Sequence, residues 1–472
     1  VDIRLTTGTC REYYQNNVDS FILVSSDSDY WGLISAMPEV RFFVMVESEK
    51  CSPTIKNALI NAGISYCYID DFCTGNSNDI KEMEKLFPRA PLKIIAMEGC
   101  KELGKKVNDY IVNFRQSSYR EELKSPMYAT YLQDNYLVDA HCPRFGSGEA
   151  KGVLNESVRG KDLFIMTDVC NYSLTYSVNG YVNHMSPDDH YQDLKRLISA
   201  ANGKEHRLNI IMPFLYESRQ HKRTKRESLD CALALQELID MGVDNIFTFD
   251  AHDPRVQNAI PLYGFDSFNP PYQFMKALLR AEPNLSVDPE HLMIISPDEG
   301  AMSRAVYFSN VIGVDMGMFY KRRDYSTVIN GKNPIVAHEF LGSDIKGKSV
   351  IIIDDMISSG ESMLDVAKQM KDRGAKQVFV CTTFGLFTDG FGKFDEFHEK
   401  GYIDRVITTN LTYLPPAFYE REYFTVADMS KFIALIIDSM NHDVSISSVL
   451  SPTDRLHALL ERHRKDLAEK NL

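Results

Sequence analysis

The sequence predicts an α/β chain in which two tandem domains with mainly parallel sheets follow a smaller α/β unit. Three observations carry this. Continuous apolar runs, such as Val350-Ile351-Ile352-Ile353, end in acids and a small-residue turn before a helical pattern. A run without alternation suits a strand covered on both faces by helices. The same succession of strand, acid and helix occurs across 164–252 and again across 292–387, an internal pseudo-repeat. Finally, 472 residues at 44% hydrophobic content can build two or three domains with their own cores.

Composition narrows the function. A net charge of −13 argues against a nucleic-acid-coating protein while permitting a local basic site. No run of 18 or more apolar residues offers a membrane span. The opening VDIRLTTGTC is neither basic nor apolar enough for a secretory signal. The nine cysteines are scattered and never form C-x-x-C, which reads as reduced thiols in a cytoplasmic protein rather than zinc or disulfide sites.

Residues 1–72 read as the small first unit. Phe21–Val24 and Phe42–Val46 are strands, with Trp31–Ala36 and Pro53–Ala62 as helices between and after them. VDIRLTTGTCREYY followed by FILVSSDSDYWGLI resembles part of the NYN group of PIN-like nuclease domains. In that group clustered aspartates, here Asp2, Asp27 and Asp29, would hold a metal for phosphodiester hydrolysis. The group's opening acidic strand and an acid near Gly8 are absent, which makes this unit a remnant or accessory domain with solvated or helix-capping aspartates. Residues 73–91, polar, charged and closed by two prolines, read as a linker with a short helix.

From Leu92 the α/β pattern restarts: KIIAM is a strand and Cys100–Asn113 an amphipathic helix. The strands Leu208–Phe214, Asn245–Phe249 and Leu292–Asp298 each run toward polar or charged turns, and Gly300 opens a helix. Gln377–Cys381, Arg405–Thr409 and Phe424–Ala427 continue the strands, and Ser430–Met440 supplies a closing helix. Residues 452–472 form a charged helix with Leu456, Leu459 and Leu460 on one face, suited to packing on a partner chain or a neighbouring domain. The domain boundaries are therefore placed at 92–272 and 273–472.

The stretch SVIIIDDMISSGESMLD carries the chemistry. Its strand ends in Asp354 and Asp355, acceptors suited to two neighbouring sugar hydroxyls. The turn Ser358-Ser359-Gly360-Glu361-Ser362, entering a helix, offers backbone N–H groups and hydroxyls to a phosphate. The strand's C-terminal end is where open α/β sheets bind ligands. Together these describe a ribose-phosphate site.

IIIDDMISSGES resembles the ribose-phosphate loop of type I phosphoribosyltransferases, and most closely that of the ribose-phosphate pyrophosphokinases; the resemblance runs over about 92–449. It implies two phosphoribosyltransferase-like domains, ATP on the first and ribose 5-phosphate on the second. The loop alone does not separate the synthetase from base-transferring relatives; Arg219-Gln220 and Lys321-Arg322-Arg323, matches that those relatives generally lack, do. RFGSGE matches a segment that reaches the adenine site of a neighbouring subunit, with Phe145, Ser147 and Glu149 at the contacting positions. In SRQHKR, Arg219 and Gln220 match ATP-binding residues and His221 replaces an acid. Asp250-Ala251-His252 matches a segment whose His takes part in Mg-ATP binding, and Asp298, in the Ser296–Ala301 turn, matches a metal-associated acid. Lys321-Arg322-Arg323 matches the start of a mobile catalytic loop, followed by a polar, poorly periodic segment to about Gly347. Taken alone, each charge run would be ordinary solvated surface.

The resemblance thus implies Mg²⁺-dependent transfer of diphosphate from ATP to ribose 5-phosphate, giving 5-phosphoribosyl 1-pyrophosphate and AMP, in a cytoplasmic homo-oligomer, hexameric or dimer-based. Lys321, Arg323 and His252 would be catalytic, and His252 and Asp298 metal ligands. Ser147, His221 and Ser358 stand where the family usually has acids. They keep open a nucleobase phosphoribosyltransferase, a catalytically silent regulatory homologue, and an acceptor larger than ribose 5-phosphate.

Overall fold

The computed structural model describes residues 3–16, 18–25, 30–37, 39–46, 53–62, 64–68, 88–117, 131–323, 335–447 and 451–470. The chain divides into two compact units. One comprises Val1–Leu92, Asp109–Tyr136 and Asp438–Val444; the other comprises Lys93–Asn108, Leu137–Ile437 and Ser445–Leu472.

The first unit holds α1 (Ile3–Asn16), β1 (Ser20–Val24), α2 (Trp31–Ala36), β2 (Arg41–Val46), α3 (Pro53–Ala62) and β3 (Ser65–Tyr68). Its strands form a parallel sheet in the order β1-β2-β3. Leu23, Leu33, Ile34, Val44, Val46 and Leu59 make the core. The expected strands and helices fall at β1, β2, α2 and α3, whereas α1 and β3 lack a clear period in the sequence. Asp2, Asp27 and Asp29 lie outside the described residues, as does the expected linker up to residue 87. The same unit buries Arg115, whose guanidinium bonds Asp438 at 2.9 Å and Asn441 at 2.7 Å and lies 4.6 Å from the centre of the Tyr131 ring. Asn441 in turn donates to the Ala90 carbonyl at 2.9 Å.

The second unit contains two larger sheets; two of the helices that follow, Lys101–Ser117 and Ser430–Asn441, have their C-terminal parts in the first unit. β4 (Leu92–Ala96), α4 (Lys101–Ser117), β5 (Ala140–His141), β6 (Val153–Leu154), β7 (Asp162–Met166), β8 (Thr175–Val178), β9 (Tyr181–His184), α5 (Pro187–Ala201), β10 (Arg207–Ile211), α6 (Asp230–Asp240), β11 (Asn245–Phe249) and β12 (Gly264–Phe268) come first. They supply a five-stranded sheet ordered β12-β11-β10-β7-β4 and two small antiparallel hairpins, β5/β6 and β8/β9.

After these come α7 (Pro271–Ala281), β13 (Leu292–Ser296), α8 (Met302–Ile312), β14 (Asp315–Arg323), β15 (Ile335–Leu341), β16 (Ser349–Ile357), α9 (Glu361–Asp372), β17 (Gln377–Gly385), α10 (Gly392–Glu399), β18 (Arg405–Thr409), α11 (Pro416–Tyr419), β19 (Phe424–Ala427), α12 (Ser430–Asn441) and α13 (Thr453–Lys470). Their seven-stranded sheet runs β15-β14-β13-β16-β17-β18-β19 and is parallel except at β14/β15.

β16 shows why its apolar run does not alternate. Val350 and Ile352 pack on one face with Val366, Met370 and Phe394 of α9 and α10. Ile351 and Ile353 pack on the other with Phe274, Leu278 and Phe308 of α7 and α8. Both faces are dry, so each position is apolar.

Two expectations need correction. The segment to Gly347 is not irregular throughout: IVAHEFL forms β15, paired antiparallel to β14 as an edge strand, as its β-branched and aromatic residues favour. And Leu456 and Leu460 of α13 are buried in this unit's own core beside α7 and α8, with Leu459 against it. The leucine face belongs to the domain itself.

Candidate active site

Strand order locates the site before any side chain does. Crossovers from β13 run outward to β14, while those from β16 run the opposite way to β17, β18 and β19. The C-terminal ends of β13 and β16 therefore flank the point where the winding reverses, the place where doubly wound sheets leave a crevice for ligands. Asp298 follows β13, and Asp354 and Asp355 lie in the C-terminal half of β16, which runs on to Ile357. Thr383, on β17, is fully buried beside them.

The two acids meet a third, Asp250, just after β11, and an arginine, Arg304 of α8. Arg304 Nε donates to Asp250 Oδ1 at 2.7 Å. Its terminal nitrogens lie 3.5 Å from Asp354 Oδ1 and 3.9 Å from Asp355 Oδ2. Thr383 Oγ1 donates to the other Asp250 oxygen at 2.7 Å. His252 Nδ1 meets Asp355 Oδ2 at 2.6 Å. A strand-end histidine from the ATP side and a ribose-side acid of the expected site are thus hydrogen-bonded to one another. Nothing in the sequence singled out Arg304 or Thr383.

Burial and charge set the protonation of this cluster. Burial, together with the neighbouring Asp355 charge, pushes Asp354 well above the ordinary carboxylate range. Burial acts on Asp355 in the same direction, but the His252 hydrogen bond and the Arg304 charge outweigh it and hold that carboxyl below its ordinary value. The hydrogen bond to Asp355 raises His252, against the opposing effect of burial. Burial raises Asp250, partly offset by Arg304. The pair is therefore unequal, with Asp355 the ionised acceptor and Asp354 the acid that more readily keeps a proton. Such a pair can both accept from and donate to adjacent hydroxyls.

The small-residue turn follows after Met356 and Ile357 complete the strand. Gly360 adopts φ 82°, a left-handed conformation open to glycine, and leads into α9. Ser359 Oγ accepts from Glu361 N at 3.5 Å, and Ser358 Oγ lies 3.4 Å from Thr388 Oγ1. Glu361 and Ser362 are exposed in the first turn, with Glu361 paired to Lys393 at 2.5 Å. Asp298 Oδ1 accepts from Gly300 N at 2.9 Å, closing the turn before α8.

The remaining expected residues are placed as follows. His221 Nδ1 donates to the Ser218 carbonyl at 3.2 Å, its ring faces Asp253 at 3.5 Å and lies 5.3 Å from the His252 ring, so the SRQH loop adjoins the cluster. Arg219 is exposed, and its charge acts on His252. Gln220 spends its amide on its own loop, donating to Ser228 O at 2.8 Å. Phe145, Ser147 and Glu149 form an exposed turn of their own, with Ser147 Oγ donating to Glu149 at 2.9 Å. Among the described residues no hydrogen bond or ion pair joins that turn to the aspartate cluster. Lys321 and Arg323 close β14, where the register with β15 shifts between Arg322 and Arg323. Their side chains, and residues 324–334, lie outside the described residues.

Among the described residues no three His, Cys, Asp or Glu side chains group closely enough to hold a metal alone. A hard divalent ion held by one or two carboxylates plus substrate phosphates needs no such cage. Asp298, whose charge is felt at Asp354, offers one such carboxylate beside the acid pair.

Comparison with known proteins agrees with this fold. Residues 92–242 match the N-terminal domain of ribose phosphate pyrophosphokinase, and residues 279–409 match the phosphoribosyl transferase domain. The ribose-phosphate pyrophosphokinase of Vibrio parahaemolyticus is 26% identical over 334 residues, covering 69% of this chain and 96% of that protein. That of Wolinella succinogenes is 28% identical over 320 residues, covering 66% and 91%. The crystal structure of phosphoribosylpyrophosphate synthetase from Mycobacterium smegmatis shares the fold, with a TM-score of 0.57 at 20% identity over 75% of this chain and 99% of that one. With both domain types matched in order and the relatives covered almost end to end, the chain belongs to the ribose-phosphate pyrophosphokinase family.

Proposed function

We propose that this chain transfers the β,γ-diphosphoryl group of ATP to the anomeric hydroxyl of ribose 5-phosphate, with Mg²⁺, giving 5-phosphoribosyl 1-pyrophosphate and AMP. The observation that carries the reading is the 2.6 Å contact between His252 and Asp355. It joins the segment that would face ATP to the acid pair that would face ribose, as a direct transfer between the two substrates requires.

Asp355, ionised, would accept from one ribose hydroxyl and Asp354 would engage its neighbour. Ser358, Ser359, Gly360, Glu361 and Ser362 would hold the 5-phosphate at the start of α9. Arg219, Gln220 and His221 would hold the adenine side of ATP, completed by Phe145, Ser147 and Glu149 of a second copy in a homo-oligomer. His252 and Asp298 would hold Mg²⁺ together with the polyphosphate. When bound, the ion neutralises the polyphosphate and draws charge from the breaking bond. The anomeric hydroxyl gives its proton to solvent, its oxygen attacks Pβ, the bond from Pβ to the α,β-bridging oxygen breaks, and AMP departs. Lys321 and Arg323 would meet the charge that develops, so the protein's task is alignment and neutralisation.

A cytoplasmic setting suits this chemistry. Among the described residues no helix is long and apolar enough to cross a membrane, and the described cysteines are free. The test is AMP release from ATP with ribose 5-phosphate and Mg²⁺, with and without nucleobase. AMP that depends on ribose 5-phosphate and not on base supports the proposal. Absence of AMP, with pyrophosphate released from a phosphoribosyl donor only when base is present, would assign the chain to base transfer instead.

A further inference from the structure

Arg304 is an amphipathic-helix arginine by sequence, yet its side chain is only 13% exposed and lies among three carboxylates. The geometry points to Arg304 as the positioning residue that holds the ribose-binding acid pair in register with the His252 segment, using Asp250 as its anchor. This inference rests on the proposed function and names a residue beyond it.

Asp250 is built as an anchor, not as a ligand for substrate. One of its oxygens takes Arg304 Nε at 2.7 Å and the other takes Thr383 Oγ1 at 2.7 Å. Its backbone is held at φ 41°, a conformation that a non-glycine residue keeps only where surroundings fix it. Two residues later comes His252, which bonds Asp355 at 2.6 Å. The contacts therefore close a circuit: Asp250 to Arg304, Arg304 to Asp355, Asp355 to His252, and back along the chain to Asp250.

The distances within that circuit differ in kind. The bond to Asp250 is short and directional, whereas the approaches to Asp354 and Asp355, at 3.5 and 3.9 Å, are looser. The guanidinium supplies charge to the acid pair while leaving lone pairs open for sugar hydroxyls. Without it, two buried carboxylates and the partly buried Asp354 would share one imidazole, and mutual repulsion would displace the pair.

The experiment measures binding of ribose 5-phosphate and of ATP to the full chain by calorimetry with Mg²⁺, for wild type, Arg304→Lys and Arg304→Met, with folding checked by circular dichroism. Misplacing a binding group by about 1 Å can cost about 10²-fold, so Arg304→Met should weaken ribose 5-phosphate by about 10²-fold and Arg304→Lys, which keeps charge but loses the fork, by about tenfold, with ATP within about threefold. That graded, sugar-selective loss is what a merely structural arginine would not give. If Arg304→Met fails to fold, Arg304→Lys decides. Equal losses for both ligands, or Arg304→Lys binding sugar like wild type, overturns the inference alone. A wild-type chain that binds no ribose 5-phosphate overturns the functional reading beneath it as well.

Discussion

His252 and Asp355 form a pair whose charge state can be read through pH. His252 is raised above its ordinary 6.5 chiefly by the hydrogen bond to Asp355, and Asp355 is held below its ordinary 3.8 against burial. A raised histidine stabilises the fold fully below its unfolded value and loses that contribution as pH rises through its folded value. A lowered aspartate contributes above its unfolded value and loses it as pH falls through its folded one. The pair's contribution is therefore greatest between 3.8 and 6.5 and declines on the alkaline side of 6.5. In metal-free protein, the gap in melting temperature between wild type and His252→Gln should narrow as pH is raised from mildly acidic to alkaline. A gap unchanged across that range would mean that His252 is not ionised against Asp355.

Side chains differ in how plainly a sequence announces them. Asp354 and Asp355 stand at the end of an apolar run, and a strand of that length leaves little doubt about which end is the C-terminal one. His252 likewise follows Asn245–Phe249, whose bounds in the structure are those expected. Arg304 could not be read this way. MSRAVYFSNVI is a helix with one arginine, a pattern that normally means solvent, and its burial exists only because β11 and β16 deliver acids from 50 or more positions away in the chain. The extra information is tertiary, and no local period carries it.

At the scale of elements, the turn between β16 and α9 makes a demanding use of one glycine. Gly360 is left-handed, and a Cβ there would overlap the buried Phe394 ring. Both the backbone conformation and the overlap cost about 1–3 kcal/mol each. Gly360→Ala should therefore lower the unfolding free energy in chemical denaturation and weaken ribose 5-phosphate binding more than ATP binding. Wild-type stability with an unchanged sugar affinity would show that the turn tolerates a side chain and does not shape a phosphate site.

β14 invites a second test at this scale. Lys321 and Arg323 close a strand whose partner β15 was hidden in the sequence. IVAHEFL mixes a charge and a histidine into its apolar residues, so no clean alternation marks it, and antiparallel pairing along β14 decides its state. If the cations at the end of β14 act only on the transferring group, Lys321→Ala and Arg323→Ala should lower kcat and kcat/KM together, with KM for each substrate nearly intact. Transition-state cations in phosphoryl transfer can be worth about 10³–10⁵ in rate. Arg322→Ala should lose far less. Equal small losses in all three, measured at saturating Mg²⁺, would reduce the triplet to surface charge.

At the scale of the whole molecule, the first α/β unit poses the largest open choice. A chain beginning at Pro88 keeps Arg89, which pairs with Asp443 at 3.0 Å and bonds the Asn441 carbonyl through its backbone at 2.6 Å. It gives up the Arg41 contact to the Arg89 carbonyl, also 2.6 Å, between two exposed residues. Such a chain should fold and retain ribose 5-phosphate-dependent AMP release, placing the linker at 73–91. Soluble but inactive protein would make the first unit part of the active assembly.

The two large sheets were legible as a pseudo-repeat because dry parallel strands leave continuous apolar runs, as Val350–Ile353 does. The role of α13 was not, because a leucine face on a charged helix looks the same whether it covers its own core or another chain. Leu456 and Leu460 turn out to seal α7 and α8.

The most direct measurement follows the diphosphoryl group itself. ATP carrying ³²P at the β-phosphorus, incubated with ribose 5-phosphate, Mg²⁺ and the full chain, should deliver the label to a sugar product bearing a diphosphate at C1, separated by chromatography, and leave AMP unlabelled. Label retained in ADP, with a single phosphoryl group moved, or no label on the sugar at all, would contradict the account.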